Sequence, residues 1–118
     1  MTDIKPFIAK LLKKKADVEM SFSDRDFSSP IIILSETENE AEIIISGSER
    51  VSRITVQLDI YHKTVKETEE LAAEVSGILT AAGLRRSFSE GIYNERRPRK
   101  CMRFTCGIDE AEGRILAL

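Results

Sequence analysis

Residues 54–61 read ITVQLDIY, the most regular pattern in the chain. Ile54, Val56, Leu58 and Ile60 alternate with Thr55, Gln57, Asp59 and Tyr61, which is the two-residue period of a strand with one apolar and one wet face. The residues that follow supply a cover for the apolar face. Thr64 and Glu67 stand at capping-box spacing: the threonine oxygen accepts from the third helical N–H while the glutamate reaches back to the cap. The spacing therefore predicts a helix start at Thr64. Leu71, Val75, Ile78, Leu79 and Ala82 lay down its apolar stripe, Gly83 offers the left-handed residue that stops it, and Leu84 can fold back on the last turn.

Alternation returns weakly through Phe88 and Ile92 and strongly through Met102, Phe104, Cys106 and Ile108. Residues 94–100 form the polar connection, with Pro98 inside it, so the pattern predicts a second hairpin. Upstream, the β-branched runs Ile31 to Leu34 and Ile43 to Ile45 flank the polar stretch 36–40 (ETENE), which reads as a hairpin tip between two strands. Gly47 and Ser48 then turn the chain again. Residues 16–30 read as irregular, with Phe22 and Phe27 as the only anchors. At the N-terminus, Ile4, Phe7, Ile8, Leu11 and Leu12 fall on one helix face, with Thr2 or Asp3 as N-cap and Pro6 tolerated in the first turn. Lys10, Lys13, Lys14 and Lys15 crowd the other end, where cations complement the helix dipole. The expected order is αβββαββ. It calls for an α+β fold: an antiparallel sheet of four or five strands with both helices on one face.

The chain has 118 residues, 42% hydrophobic, with 18 Lys plus Arg against 20 Asp plus Glu. That composition predicts a single domain over residues 1–118, able to bury roughly two thirds of its unfolded surface without metal or disulfide staples. No apolar run exceeds four residues, as at Ile31 to Leu34, against the roughly 20 a bilayer demands, and no basic segment leads an apolar one. Neither a membrane span nor a signal peptide is expected. Cys101 and Cys106 lie on one predicted strand, roughly 16 Å apart at about 3.3 Å per residue and on opposite faces, so no disulfide joins them. Free thiols suit a reducing cytoplasm.

A catalytic constellation is hard to find. His62 is the only histidine, so neither a nucleophile–histidine arrangement with a second histidine nor a four-ligand zinc site can be assembled. Carboxylates are plentiful, but they fall on predicted tips and helix faces rather than in an apolar pocket that would raise one pKa. The six glycines are scattered and form no phosphate-binding loop. An RNA-recognition sheet needs exposed aromatics on adjacent strands, and residues 99–106 offer Phe104 alone, on the predicted core side. Catalytic, cofactor and metal residues are therefore all expected to be absent.

One electrostatic feature stands out. Residues 85–103 hold Arg85, Arg86, Arg96, Arg97, Arg99, Lys100 and Arg103 against Glu90 and Glu95, a local charge of +5, so the rest of the chain sums to −7. Such charge ordinarily protects a strand edge, but it also suits a protein interface or contact with DNA phosphates. The expected contact joins Arg96, Arg97, Arg99 and Lys100 of one copy to Glu36, Glu38 and Glu40 of the next. A small nucleic-acid-binding or regulatory module using the basic hairpin 94–103 is the alternative.

Taken in order, residues 29–36 (SPIIILSE), 54–63 (ITVQLDIYHK), the capped helix ending 79–84 (LTAAGL) and 102–109 (MRFTCGID) resemble the tail terminator, or tail completion, proteins of siphophages and prophages. The likeness runs over residues 29–109 as a series of short motifs. It implies a structural, non-enzymatic head-tail joining subunit that assembles as a hexameric ring at the end of the tail tube, stops tube growth and faces the head connector. It further implies virion assembly in the bacterial host cytoplasm and a place in the finished virion. Because exposed charge pairs are worth only about 0 to 1 kcal/mol each, the subunit is expected to be monomeric in solution until a tube end templates the ring. Tail-tube and head-connector proteins are the implied partners.

Overall fold

A computed structural model describes residues 3–20, 30–45, 49–94, 96–110 and 112–116, with the backbone alone for 38–45 and 49–50. The elements run α1 (Lys5–Leu12), β1 (Asp17–Glu19), β2 (Ile31–Ile45), β3 (Glu49–Tyr61), α2 (Val65–Ala81), β4 (Arg85–Ile92), β5 (Arg99–Asp109) and β6 (Arg114–Leu116). The fold is α+β: two helices and a six-stranded, mostly antiparallel sheet ordered β1-β2-β3-β5-β4, with β6 beside the far end of β5.

The alternating stretch sits at the centre. Ile54, Val56, Leu58 and Ile60 of β3 are fully buried. Strand β5 lies antiparallel beside them in the register Leu58↔Met102, Val56↔Phe104 and Ile54↔Cys106. Both helices cover this face, and Ile8, Leu12, Leu71, Val75 and Leu79 close one core with Met102, Phe104 and Ile108. Helix α2 begins as expected, Thr64 Oγ1 accepting from the Glu67 N–H at 3.1 Å. The other half of the box is not made: the Glu67 carboxylate turns to His62 Nδ1 at 2.9 Å. The helix ends on Gly83 at φ 102°, and the Leu84 N–H reaches back to the Leu79 carbonyl at 3.0 Å. This pairing across five residues is the bond of a Schellman turn, and Leu84 is buried by it.

Four sequence expectations change. The polar stretch 36–40 is not a hairpin tip, because 31–34 and 43–45 belong to one strand, β2, paired with β3 along its whole length. Thr37 and Glu42 are absorbed as bulges on it. The expected strand order therefore loses one strand and gains two. These are β1, which pairs parallel with β2 through Asp17↔Ile31 and Glu19↔Ile33, and β6, antiparallel to β5. Phe7 is 43% exposed rather than core, the buried stripe of α1 being Ile4, Ile8 and Leu12. Finally, Asp3 does not occupy the N-cap of α1, although its carboxylate accepts from the Lys5 N–H at 3.0 Å. Thr2, Phe22, Phe27, Gly47 and Ser48, all singled out in the sequence, lie outside the described residues.

Candidate assembly interface

The open face of the sheet carries a polar network instead of a second helix layer. Arg103 Nε donates to Gln57 Oε1 at 3.1 Å, and Gln57 Nε2 donates to Asp59 Oδ2 at 3.0 Å. Arg99 closes the series on Asp59 Oδ1 at 3.4 Å. Thr55 and Thr105, direct cross-strand partners, share a hydroxyl hydrogen bond of 3.0 Å. The Arg103 guanidinium also lies 4.9 Å from the ring centre of Phe88, a cation–π distance. These contacts tie β3, β5 and β4 together across the open face.

The same geometry redistributes the basic residues counted in the sequence. Arg99 and Lys100 are adjacent on β5 and so leave it on opposite faces. Arg99 goes to Asp59, while Lys100 crosses to α2 and binds both oxygens of Glu69 at 3.2 Å. Both are committed to carboxylates of their own subunit and stand as internal ties rather than as a free hairpin tip. Arg96 is exposed and Arg97 half-buried, each with contacts of its own. Arg85 and Arg86, on edge strand β4, are exposed, and their guanidinium groups make no hydrogen bond or ion pair among the described residues. The sequence reading counted these two among the basic residues but left them out of the interface. What marks them is their place on an edge, which only the strand order reveals.

The acidic side is equally altered. Glu36, Glu38 and Glu40 stand in register with Val56, Thr55 and Arg53 of β3, midway along β2. Cross-strand partners can be followed from β4 to β2. One row runs Arg86, Phe104, Val56, Glu36, and the next runs Arg85, Thr105, Thr55, Glu38. Each row is basic at one edge of the sheet and acidic toward the other.

Both thiols are held neutral: burial pushes Cys106 up to about 11, and burial together with the neighbouring Asp59 carboxylate pushes Cys101 up to about 11. They lie on opposite faces of β5 as free cysteines. Among the described residues no three His, Cys, Asp or Glu side chains gather where a metal ion could be held. A groove of about 260 Å³ is lined by Ile4, Phe7, Ala82, Gly113 and Ile115 and carries no ionisable side chain. Among the described residues no helix is long and apolar enough to cross a membrane. No protein-family model matches the chain, and no curated protein matches it.

Proposed function

We propose that this chain is a structural, non-enzymatic virion assembly protein: a tail terminator or head-tail joining subunit that forms a ring at the end of a phage tail tube. The observation that carries the reading is the polarity of the sheet. Its two lateral edges differ in charge, with exposed arginines on β4 and a run of glutamates on β2, which is what a head-to-tail contact between identical subunits uses to close a ring. An isologous dimer would instead bring like-charged edges together. The motifs of the family resemblance fall on β2, β3, α2 and β5, the elements that build the core. In this reading the ring has six copies, as the resemblance implies, and its partners are tail-tube and head-connector proteins met in the host cytoplasm and retained in the virion.

Deleting the gene from the genome that encodes it, and imaging the particles released, tests this reading. The expected result is unjoined heads and tails of irregular length, with joining restored by a wild-type copy. Normally joined particles in its absence, or a genome that releases no tailed particles at all, would overturn it.

A further inference from the structure

We infer that neighbouring subunits join by continuing the sheet itself: the outer edge of β4 adds to the outer edge of β2 of the next copy, with Arg85 and Arg86 set against the glutamates of β2. This rests on the ring reading and names the surfaces that would build it.

The strand directions permit the join. Strand β2 is antiparallel to β3, β3 to β5, and β5 to β4, so β4 runs opposite to β2 and the two edges meet as an antiparallel pair. Among the described residues both edges are open: β2 has no outer partner beyond Ile33 and β4 has none at all. An open edge presents a row of unpaired N–H and C=O groups, and natural proteins leave a long one bare chiefly where it will be used or is guarded. Charge selects the occupant. Residues 34–45 of β2 carry Glu36, Glu38, Glu40 and Glu42 and no basic residue, while β4 opens on Arg85 and Arg86. Two acidic edges repel one another, whereas the acidic edge of one copy attracts the basic edge of the next.

Strand β1 sets the register. It occupies the outer side of β2 at Ile31, Ile32 and Ile33, the level at which β4 ends with Glu90, Gly91 and Ile92. A neighbour cannot dock level with its partner and must shift along β2 toward Ile45. Such a stagger is what a closed sheet requires. The shift keeps Arg85 and Arg86 over the stretch that holds the four glutamates. The bulges at Thr37 and Glu42 on β2 and at Ser87 on β4 make both edges irregular and deter strands of other proteins.

Two charge-reversed proteins test the contact: Arg85→Glu with Arg86→Glu, and Glu38→Lys with Glu40→Lys. Each is followed by native mass spectrometry as purified protein and by electron microscopy of particles from the deletion strain, with circular dichroism to confirm folding. Each variant alone places like charges at every junction and should lose the ring. An equal mixture should regain it with strictly alternating subunits, because each variant then meets only the complementary edge of the other. If the wild-type protein forms rings and either variant alone still does, or the mixture fails to recover them, the edge contact is wrong while the ring reading survives. If the wild-type protein is monomeric when purified, coproduction of both variants in the deletion strain decides by the same criterion. If the deletion strain joins heads and tails unaided, the ring reading itself falls.

A cross-link gives a measurement independent of charge. Arg85→Cys combined in one chain with Glu38→Cys or Glu40→Cys should yield covalent multimers on mild oxidation for at least one pair, since the register places these positions on the same face of the sheet and facing strand residues come within disulfide reach. Parents that carry one introduced cysteine beside the buried Cys101 and Cys106 should not, since a heterologous contact never brings a residue against its own copy. Multimers from the single variants, or from none of the pairs in assembled rings, would overturn the proposal.

Discussion

Lys100 Nζ lies 3.2 Å from both carboxylate oxygens of Glu69, a residue 31 positions earlier in the chain, and the Tyr93 hydroxyl donates to the same carboxylate. The cluster ties α2 to the β4–β5 hairpin. The Tyr93 hydrogen bond holds the Glu69 carboxyl below its usual value of 4.5, against the opposing effect of burial and with help from Lys100. Tyr93 is pushed up to about 12, first by burial and then by Glu69. The tyrosine's share of stability is thus intact below pH 10 and fades as pH rises toward 12. The carboxylate's share is intact above the ordinary glutamate range and fades as pH falls through its lowered value. In a Tyr61→Phe background, phenolate absorbance should rise near pH 12, and Glu69→Gln should move that midpoint down toward 10.

Gly91 makes room for that tyrosine. A Cβ at this position would stand 2.5 to 2.7 Å from atoms of the Tyr93 ring, too close for any real contact. Gly91→Ala should therefore displace the ring and break its bond to Glu69. Both residues are solvent-exposed, so global stability should change by no more than about 1 kcal/mol, while the phenolate midpoint falls as it does in Glu69→Gln. An unchanged titration would mean that the ring keeps its place.

The centre of the sheet makes a larger demand. Leu58 and Phe104 are fully buried in the core on adjacent strands. Truncating either to alanine should destabilise by about 2 to 5 kcal/mol in denaturant unfolding, the lost transfer free energy plus that of the cavity left behind. A change below about 0.5 kcal/mol would be the signature of an exposed position.

What could be read from the sequence follows from how local each signal is. The centre of β3 was legible because one of its faces is wholly apolar, and α2 because its cap, stripe and stop all lie within twenty-one residues of one another. Strand β2 was misread in its middle. An edge strand tolerates glutamates and bulges that a central strand does not, and so ETENE looks like a turn. Strand β1 has a single apolar residue, Val18, too little for a period. The charge asymmetry was visible as a count, but which cations are spent inside the subunit was not. Lys100 meets Glu69 only through the packing of α2 on the sheet, and Arg85 acquires an edge only because β4 is the last strand in the order.

Ser52 is fully buried on the helix-covered face of β3, and its hydroxyl has no hydrogen-bond partner among the described residues. A buried hydroxyl without a partner retains its desolvation penalty. Ser52→Ala should therefore be neutral or stabilising by up to about 1 kcal/mol in denaturant unfolding, although most core substitutions lose stability. A loss of more than about 1 kcal/mol would show that the hydroxyl is satisfied in solution.

Asp59 and Cys101 are direct partners across β3 and β5, and the pair separates the two thiols by mechanism. Both sulfhydryls lie near 11, but Cys106 is raised by burial alone, whereas Cys101 is raised by burial and then by the Asp59 carboxylate, with Arg103 and Arg99 pulling the other way. At neutral pH both should react with a thiol reagent far more slowly in the native protein than after denaturation, because the thiolate is the reacting species. Asp59→Asn removes the negative charge but leaves the arginines, so the Cys101 thiolate becomes easier to form. In a Cys106→Ser background its labelling should accelerate, and the pH at which labelling rises should move down. In a Cys101→Ser background the same Asp59→Asn change should leave Cys106 where it was, since no charge on the open face reaches it through the sheet. Equal acceleration of both thiols would instead report loosening of the whole strand pair. Acceleration of Cys101 alone shows that the carboxylate, not access, had held that thiol neutral.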